Sequence, residues 1–286
     1  MESLIITTEE TSDLPLNLIK EYDIKICSVD YYVNGFEYNS QTNSFTQKQF
    51  FENMRKGADV KITQVNQQKA YTFLEKYAKT GKTVLHLSFS SGLSGTYNSF
   101  KYAVDELNKK YNNNCFVVDS LCASAGQGLF VLLVAKKAKE SDITIEKLIE
   151  YANEIKFKIN HIFTVDDLKY LVKGGRVSKT SAKLAGLLHI KPLMHVDNEG
   201  KLVATNKVFG RKLVIKKMFE KMTNNYDPYY ADILICEADC ENDAKTLAKM
   251  VENYYGLAPT IVPLDYFIGS YSGPGTLALF YVGDKR

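Results

Sequence analysis

Short apolar runs alternate with longer stretches of helical period along the first half of the chain. The runs have the length of buried strands and lie at residues 4–6, 25–29, 83–87 and 115–119. The helical stretches lie mainly at residues 67–79, 96–111, 123–138 and 143–156, with a shorter helix through 50–55, another beginning near residue 15, and a polar loop at 34–44. Strands that alternate with helices in this way form βαβ units. The pattern therefore predicts an α/β fold with a doubly wound, mostly parallel sheet.

The pattern changes near residue 160. A strand at 162–164 and a short helix at 167–173 precede Gly174-Gly175, and two apolar runs, 189–196 and 202–208, flank a hairpin loop at 197–200. The remaining segments are helices at 210–222 and 241–255, strands at 233–235 and 260–262, and a closing apolar run at 277–282. We therefore expect an N-terminal α/β domain over residues 1–160, a smaller α+β domain over 161–286, and a ligand between them.

Composition narrows the functional classes. The chain has 286 residues, and its 36 basic and 33 acidic side chains give a net charge of +3 without a dense Lys/Arg block, which argues against a nucleic-acid partner. No run of eighteen apolar residues and no leader pattern is present, so we expect a cytoplasmic protein. Five cysteines without a regular framework favour a reducing compartment, and the four dispersed histidines do not have the spacing of metal ligands. We therefore expect neither a metal nor another cofactor.

The segment at residues 88–97 is the most informative one. It links a predicted strand to a predicted helix, where open α/β sheets bind ligands, and its small hydroxylated residues suit an anion held by backbone and side-chain donors. A nucleotide-phosphate loop would need a lysine that is missing, and a serine-hydrolase elbow would need glycine where Thr96 stands. Two interpretations stay open: a non-catalytic anion site around Ser94, or a tight turn that only caps a helix.

Three further segments contain clustered small or polar residues. Residues 173–179 combine paired glycines with Arg176, which pairs either with an anion or across the two domains, while Ser178 is a candidate helix cap. Residues 7–15 follow the first strand and end in a helix-start pattern. Residues 270–276 form a loop in which Tyr271 offers a hydroxyl group.

Together these segments resemble the DegV family of fatty-acid-binding proteins over essentially the full length. The matching motifs, in chain order, are Thr11-Ser12-Asp13-Leu14-Pro15, Ser90-Ser91-Gly92-Leu93-Ser94-Gly95-Thr96-Tyr97, Lys173 to Ser178 followed by Ile190-Lys191-Pro192, and Gly273-Pro274-Gly275. The resemblance implies a DegV-type domain, a smaller C-terminal domain and one long-chain fatty acid buried between them. It also implies that some members present this fatty acid to a separate kinase subunit, which phosphorylates the carboxylate for phospholipid synthesis.

The resemblance also suggests ligand-binding residues, and the sequence departs from the family at several of them. Ser94 matches a carboxylate-binding serine of the family, next to Gly95 and Thr96. Ile62 replaces the usual threonine, which leaves Thr63 as the neighbouring hydroxyl, and Tyr271 stands at the usual histidine position.

Arg176 completes the predicted ligand set, while Phe209 replaces an arginine of the kinase-linked members. We expect fatty-acid binding without chemistry by the chain itself, a fatty acid kinase subunit as a further partner, and membrane contact that is at most transient. The alternative is a serine-dependent hydrolase or transferase that uses Ser94, with His86 as the nearest candidate base along the chain.

Overall fold

The computed structural model describes residues 4–39, 45–111, 114–177 and 189–286. Its strands are β1 (Leu4–Glu9), β2 (Lys25–Cys27), β3 (Asp30–Val33), β4 (Phe36–Asn39), β5 (Val60–Ile62), β6 (Thr83–Ser88), β7 (Cys115–Asp119), β8 (Ile159–Thr164), β9 (Ile190–Val196), β10 (Leu202–Phe209), β11 (Leu234–Glu237), β12 (Thr260–Pro263) and β13 (Leu277–Val282). Its helices are α1 (Leu16–Glu21), α2 (Gln47–Arg55), α3 (Gln67–Ala78), α4 (Thr96–Lys110), α5 (Ala125–Ala138), α6 (Ile145–Ile155), α7 (Lys169–Lys173), α8 (Arg211–Thr223), α9 (Glu241–Tyr255) and α10 (Tyr266–Ser272). The predicted α/β fold class is confirmed.

A four-stranded sheet in the order β2-β1-β6-β7 is parallel throughout. Two helices of this half of the chain, α3 and α6, begin at polar caps. The side chain of Asn66 accepts the backbone N–H of Lys69 at the start of α3, and Thr144 accepts that of Lys147 at the start of α6. Parallel strands place their carboxyl ends on one edge, so the segments after β1, β6 and β7 meet there.

A second sheet of six strands has the order β10-β9-β8-β13-β11-β12. Only β11 and β12 run parallel among its described pairs. Helices α8 and α9 cover its outer face, where Met218 and Leu247 pack against Ile162 and Leu279. The inner face turns towards α5.

Helix α5 lies between the two sheets. Every residue from 125 to 135 is buried, which explains why its sequence is apolar around the whole circumference rather than along one stripe. It packs against β8, β11 and β13 of the six-stranded sheet and against the turn that follows β1. The two sheets therefore share one central helix.

The prediction of a loop at residues 34–44 was wrong over its first part. Residues 36–39 form β4, which pairs with β3, and β3 also pairs with β5 in a small antiparallel sheet. Asn34 and Gly35 both have positive φ, 51° and 83°, which is the backbone geometry of a tight two-residue hairpin. The hairpin signal of Asn-Gly was present in the sequence and was missed; residues 40–44 lie outside the described part.

Two other boundaries also differ from prediction. Strand β1 continues past the apolar run through Thr7, Thr8 and Glu9, because these polar side chains are buried with hydrogen-bond partners. Residues 270–272 belong to α10 rather than to a loop; Asp265 caps this helix by accepting the N–H groups of Phe267 and Ile268. The suggested cap Ser178 lies outside the described residues.

Bilayer crossing has no candidate within the described ranges, since none of their helices combines sufficient length with sufficient apolar character.

Candidate functional site

A largely apolar cavity lies between the two sheets, beside α10. About 650 Å³ of non-atom space lies within its lining, a figure that includes space open to solvent. Twelve of its described lining residues are apolar: Phe89, Leu93, Ala123, Phe163, Leu171, Val196, Leu202, Leu264, Phe267, Ile268, Ala278 and Phe280. The remaining six are Ser124, His161, Arg176, Tyr271, Ser272 and Thr276.

Strand alternation explains one wall of this cavity. Phe163 on β8 and Ala278 on β13 are paired in register, and Phe280 lies two residues further along β13. Side chains two residues apart share a face of a strand, so all three point inwards, while Ile162 and Leu279 between them point to the outer core. The small side chain of Ala278 leaves space that its phenylalanine neighbours would otherwise fill.

Two polar side chains of the lining already have hydrogen-bond partners within the protein. The hydroxyl groups of Ser272 and Thr276 donate to the carbonyl oxygens of Ile268 and Gly273. They are therefore satisfied locally and leave the cavity interior suited to an apolar ligand.

At one end of the cavity, Arg176 and Tyr271 lie together. The guanidinium carbon of Arg176 is 4.8 Å from the centre of the Tyr271 ring, a cation–π distance. Its Nε donates to the carbonyl oxygen of Leu93 at 3.0 Å, and its Nη1 donates to that of Gly174. Arg176 thus joins the segment after α7 to the loop that contains Ser94, and it supplies positive charge at this end.

The loop around Ser94 is compact and mostly buried. The hydroxyl groups of Ser94 and Thr96 lie 3.0 Å apart, and the N–H of Thr96 donates to the Ser94 hydroxyl at 3.3 Å. The Gly95 N–H donates to the side-chain oxygen of Gln64, and a Cβ atom at Gly95 would meet that oxygen at 2.7 Å. That oxygen is the end of a flexible side chain that can move aside, so the contact favours glycine without requiring it. The structure shows a helix-starting turn, and two neighbouring hydroxyl groups that an anion could also use.

Thr63 does not join this group. It is exposed, its hydroxyl donates to the carbonyl oxygen of Asp30 at 3.2 Å, and it does not line the cavity. Its neighbour Gln64 is the residue of this segment that reaches the loop. Of the predicted ligand residues, Arg176 and Tyr271 line the cavity. Ser94, Gly95 and Thr96 do not line it, although they follow its lining residue Leu93 in sequence, and Thr63 does not line it either.

A buried polar network supports the loop from below. The Glu9 carboxylate accepts the Ser88 hydroxyl at 2.6 Å, the Phe89 N–H at 3.1 Å and the Gln127 amide at 2.6 Å. Burial alone would raise the pKa of Glu9, but the neighbouring His86 and the hydrogen bond from Ser88 lower it below its usual value. The network fixes the backbone where β6 ends and the loop begins.

His86 belongs to this network rather than to Ser94. Its Nδ1 lies 2.8 Å from the Thr7 hydroxyl, and its Nε2 lies 3.3 Å from a Glu9 oxygen. Both ring nitrogens are therefore occupied, whereas Ser94 pairs with Thr96. A nucleophilic serine needs a base within hydrogen-bond reach, so the geometry gives His86 no such role.

Sequence reasoning missed Ser124 and His161, which line the cavity from the start of α5 and from β8. The Nε2 atom of His161 accepts the Ala123 N–H at 3.2 Å, and burial holds the pKa of His161 well below its usual value. His161 is therefore neutral and part of the wall. Its place within an apolar strand was the only signal in the sequence.

The described residues contain no group of three or more His, Cys, Asp or Glu placed to hold a metal ion. All five cysteines are free thiols, four of them buried. The features of the cavity that can bind a ligand are therefore its shape, its apolar surface and the guanidinium group of Arg176 at one end.

The chain was compared with protein families and with known relatives. Residues 3–284 match the family model named DegV, described as "Uncharacterised protein, DegV family". A DegV domain-containing protein from Clostridium perfringens is 37% identical over 292 residues, covering 100% of this chain and 99% of that protein. One from Lactococcus lactis is 31% identical over 98% of each chain.

Solved structures agree with these matches. A DegV lipid-binding protein from Thermotoga maritima has a TM-score of 0.84 at 26% identity, covering 99% of each chain. A fatty-acid-binding DegV family protein from Streptococcus agalactiae has a TM-score of 0.85 at 26% identity, again over 99% of each chain.

Proposed function

This chain belongs to the DegV family, and we propose that it binds one long-chain fatty acid without chemically changing it. The observation that carries the proposal is the cavity of about 650 Å³ with an almost wholly apolar wall. Each buried methylene contributes about 0.8 kcal/mol, so an apolar wall favours a long acyl chain over shorter or polar ligands. The description of structurally similar proteins as lipid- or fatty-acid-binding supports this choice.

In this proposal the carboxylate lies at the end of the cavity that holds Arg176 and Tyr271. The guanidinium supplies charge, and the Tyr271 hydroxyl with the hydroxyls of Ser94 and Thr96 supplies hydrogen-bond donors. Hydrogen bonds to an ionised group are about twice as strong as neutral ones, so a few such donors hold a carboxylate in a dry site. Thr63 joins them only if its side chain leaves the Asp30 carbonyl.

Native mass spectrometry of gently purified protein tests the proposal directly. We expect a bound fatty acid at one molecule per chain, and its replacement by added palmitate. The substitution Ser94→Ala should weaken palmitate binding, whereas Ser91→Ala, at an exposed position of the same loop, should not. A protein that carries no lipid and does not bind palmitate or oleate would overturn the proposal.

The proposal extends to presentation of the bound fatty acid to a separate kinase subunit. There the terminal phosphoryl group of ATP would move to a carboxylate oxygen and ADP would leave. Phe209, which stands where kinase-linked members have an arginine, is 70% exposed and so available to a partner. Trapping of acyl phosphate with hydroxylamine, using a bacterial fatty acid kinase subunit and ATP, tests this step; Phe209→Arg should increase the product.

We further propose a cytoplasmic location and only transient contact with membranes. Five free thiols suit a reducing compartment. Fractionation of cells should recover the protein in the soluble fraction; recovery mainly with membranes would contradict this.

A further inference from the structure

Two aspartate side chains meet where the first half of the chain contacts the six-stranded sheet. Asp13 ends the turn that follows β1, and Asp265 immediately precedes α10. The backbone N–H of Asp265 donates to Oδ1 of Asp13 at 2.9 Å, across 252 residues of sequence. This contact ties the start of α10 to the parallel sheet.

The second oxygen of Asp13 is also engaged. Its Oδ2 accepts the hydroxyl of Ser124 and lies 3.6 Å from the Cys236 thiol. Ser124 has a φ of 56°, an unfavourable conformation for serine that the surrounding contacts must maintain. Asp13 therefore joins the start of α5, strand β11 and the start of α10 at one buried point.

Asp265 has one occupied and one unoccupied oxygen. Its Oδ1 accepts the N–H groups of Phe267 at 2.6 Å and Ile268 at 3.1 Å, which caps α10. Its Oδ2 is buried and has no hydrogen-bond partner. The two carboxyl groups are close enough to hydrogen-bond each other when one of them is protonated. A proton on Asp265 would therefore remove both the unsatisfied oxygen and the repulsion between the charges.

The surroundings favour this proton. The titratable groups that face the pair are Glu10 beside Asp13, Cys236 on β11, and Tyr31 and Tyr266 around the start of α10. Each of these is either neutral or negative. Burial raises the pKa of Asp13 to about 7, and burial followed by the Asp13 charge raises the pKa of Asp265 well above its usual value.

We propose that Asp13 and Asp265 share one proton, and that this proton keeps α10 closed over the cavity. Helix α10 contributes Phe267, Ile268 and Tyr271 to the lining. When the proton is lost, two like charges face each other, and α10 separates from Asp13. The pair thus makes retention of the ligand dependent on pH; the link to a fatty acid rests on the function proposed above.

Ligand release measures the effect. Dissociation of a fluorescent fatty acid into excess lipid vesicles should become at least about fivefold faster between about pH 7 and a pH above the raised pKa of Asp265, since each pKa unit represents a tenfold change in proton occupancy. In Asp265→Asn, which keeps the cap and supplies an N–H donor in place of the proton, release should stay slow at both pH values. Asp23→Asn is the control, because it makes the same chemical change at an exposed aspartate; it should follow the wild type.

A measurement without ligand separates this proposal from the proposed function. Hydrogen exchange of the backbone amides of α10, corrected for intrinsic rates, should accelerate with pH in the wild type and in Asp23→Asn but not in Asp265→Asn. Protection of α10 that is the same at both pH values, or that changes equally in Asp265→Asn, would overturn the proton-sharing pair. If α10 loosens as expected while the fluorescent fatty acid never binds, the pair stands and the proposed ligand fails.

Discussion

Replacing Ala278 by leucine tests whether the cavity is a binding space rather than an ordinary packing defect. Ala278 is 4% exposed and lines the cavity beside Phe163 and Phe280. The change adds three carbon atoms to a wall that faces empty space. In a filled core such an addition costs about 1–3 kcal/mol. Here we expect no loss in the free energy of unfolding, because the new side chain enters the cavity.

The same leucine should displace part of the ligand. If it excludes three methylenes of an acyl chain, at about 0.8 kcal/mol each, binding of palmitate loses about 2.4 kcal/mol, or about 60-fold in Kd. A shorter acid such as laurate, which does not need that space, should lose much less. The preferred chain length therefore shifts towards shorter acids.

Two assays and one control decide this prediction. Urea denaturation of the ligand-free protein gives the stability, and competition with a fluorescent fatty acid gives Kd for laurate, myristate and palmitate. Ala103→Leu is the matched control, because Ala103 is fully buried in the α3–α4 core away from the cavity; it should lose about 1–3 kcal/mol of stability. A destabilisation of Ala278→Leu as large as that of Ala103→Leu, with palmitate Kd unchanged, would refute the assignment of the cavity as the acyl site.

Three further substitutions test the polar groups. Glu9→Gln should lower the free energy of unfolding at neutral pH by about 3 kcal/mol, because it disrupts a buried charged network. The pKa of Glu9 is lowered in the folded state, so the stabilisation by Glu9 is present above the unfolded pKa of about 4.3 and is lost as pH falls. Urea denaturation should therefore show that the stability difference between variant and wild type becomes smaller in acid. Arg176→Gln should weaken palmitate binding by about 1.5–3 kcal/mol, the contribution of a hydrogen bond to a charged group. The binding of palmityl alcohol, which carries no charge, should not change. Equal losses of affinity for both ligands in calorimetry would show that Arg176 has a purely structural role. Tyr271→Phe keeps the ring that packs on Arg176 and removes the hydroxyl, so we expect about 1 kcal/mol of weaker palmitate binding with unchanged melting temperature, and an unchanged Kd would show that the hydroxyl does not touch the ligand.

Regular elements with strong periodicity were predictable from the sequence. The predicted helix at 123–138 corresponds to α5 (Ala125–Ala138), and the strand at 115–119 is β7 itself. Short elements were not, because their stability comes from distant partners. Thr7, Thr8 and Glu9 extend β1 only because His86, Leu87 and Gln127 supply hydrogen bonds from distant positions.

The site was predictable in part for the same reason. The motifs identified Ser94, Arg176 and Tyr271, and the fold places Arg176 in contact with Tyr271 and with the loop of Ser94. Thr63 was chosen by proximity in sequence to Ile62, but strand β5 turns its hydroxyl to Asp30. The cavity itself has no sequence signature, since it arises where small and large side chains of several elements leave a gap.

The position of α5 also limits how this chain can be cut or shuffled. Helix α5 is buried around its whole circumference and has no polar face. In a fragment that ends near residue 160, the apolar face that packs against β8, β11 and β13 would be exposed to water. Such a fragment would associate with itself or be degraded rather than persist as half a protein. We therefore expect insertions to be accepted in surface loops rather than at the junction between the sheets.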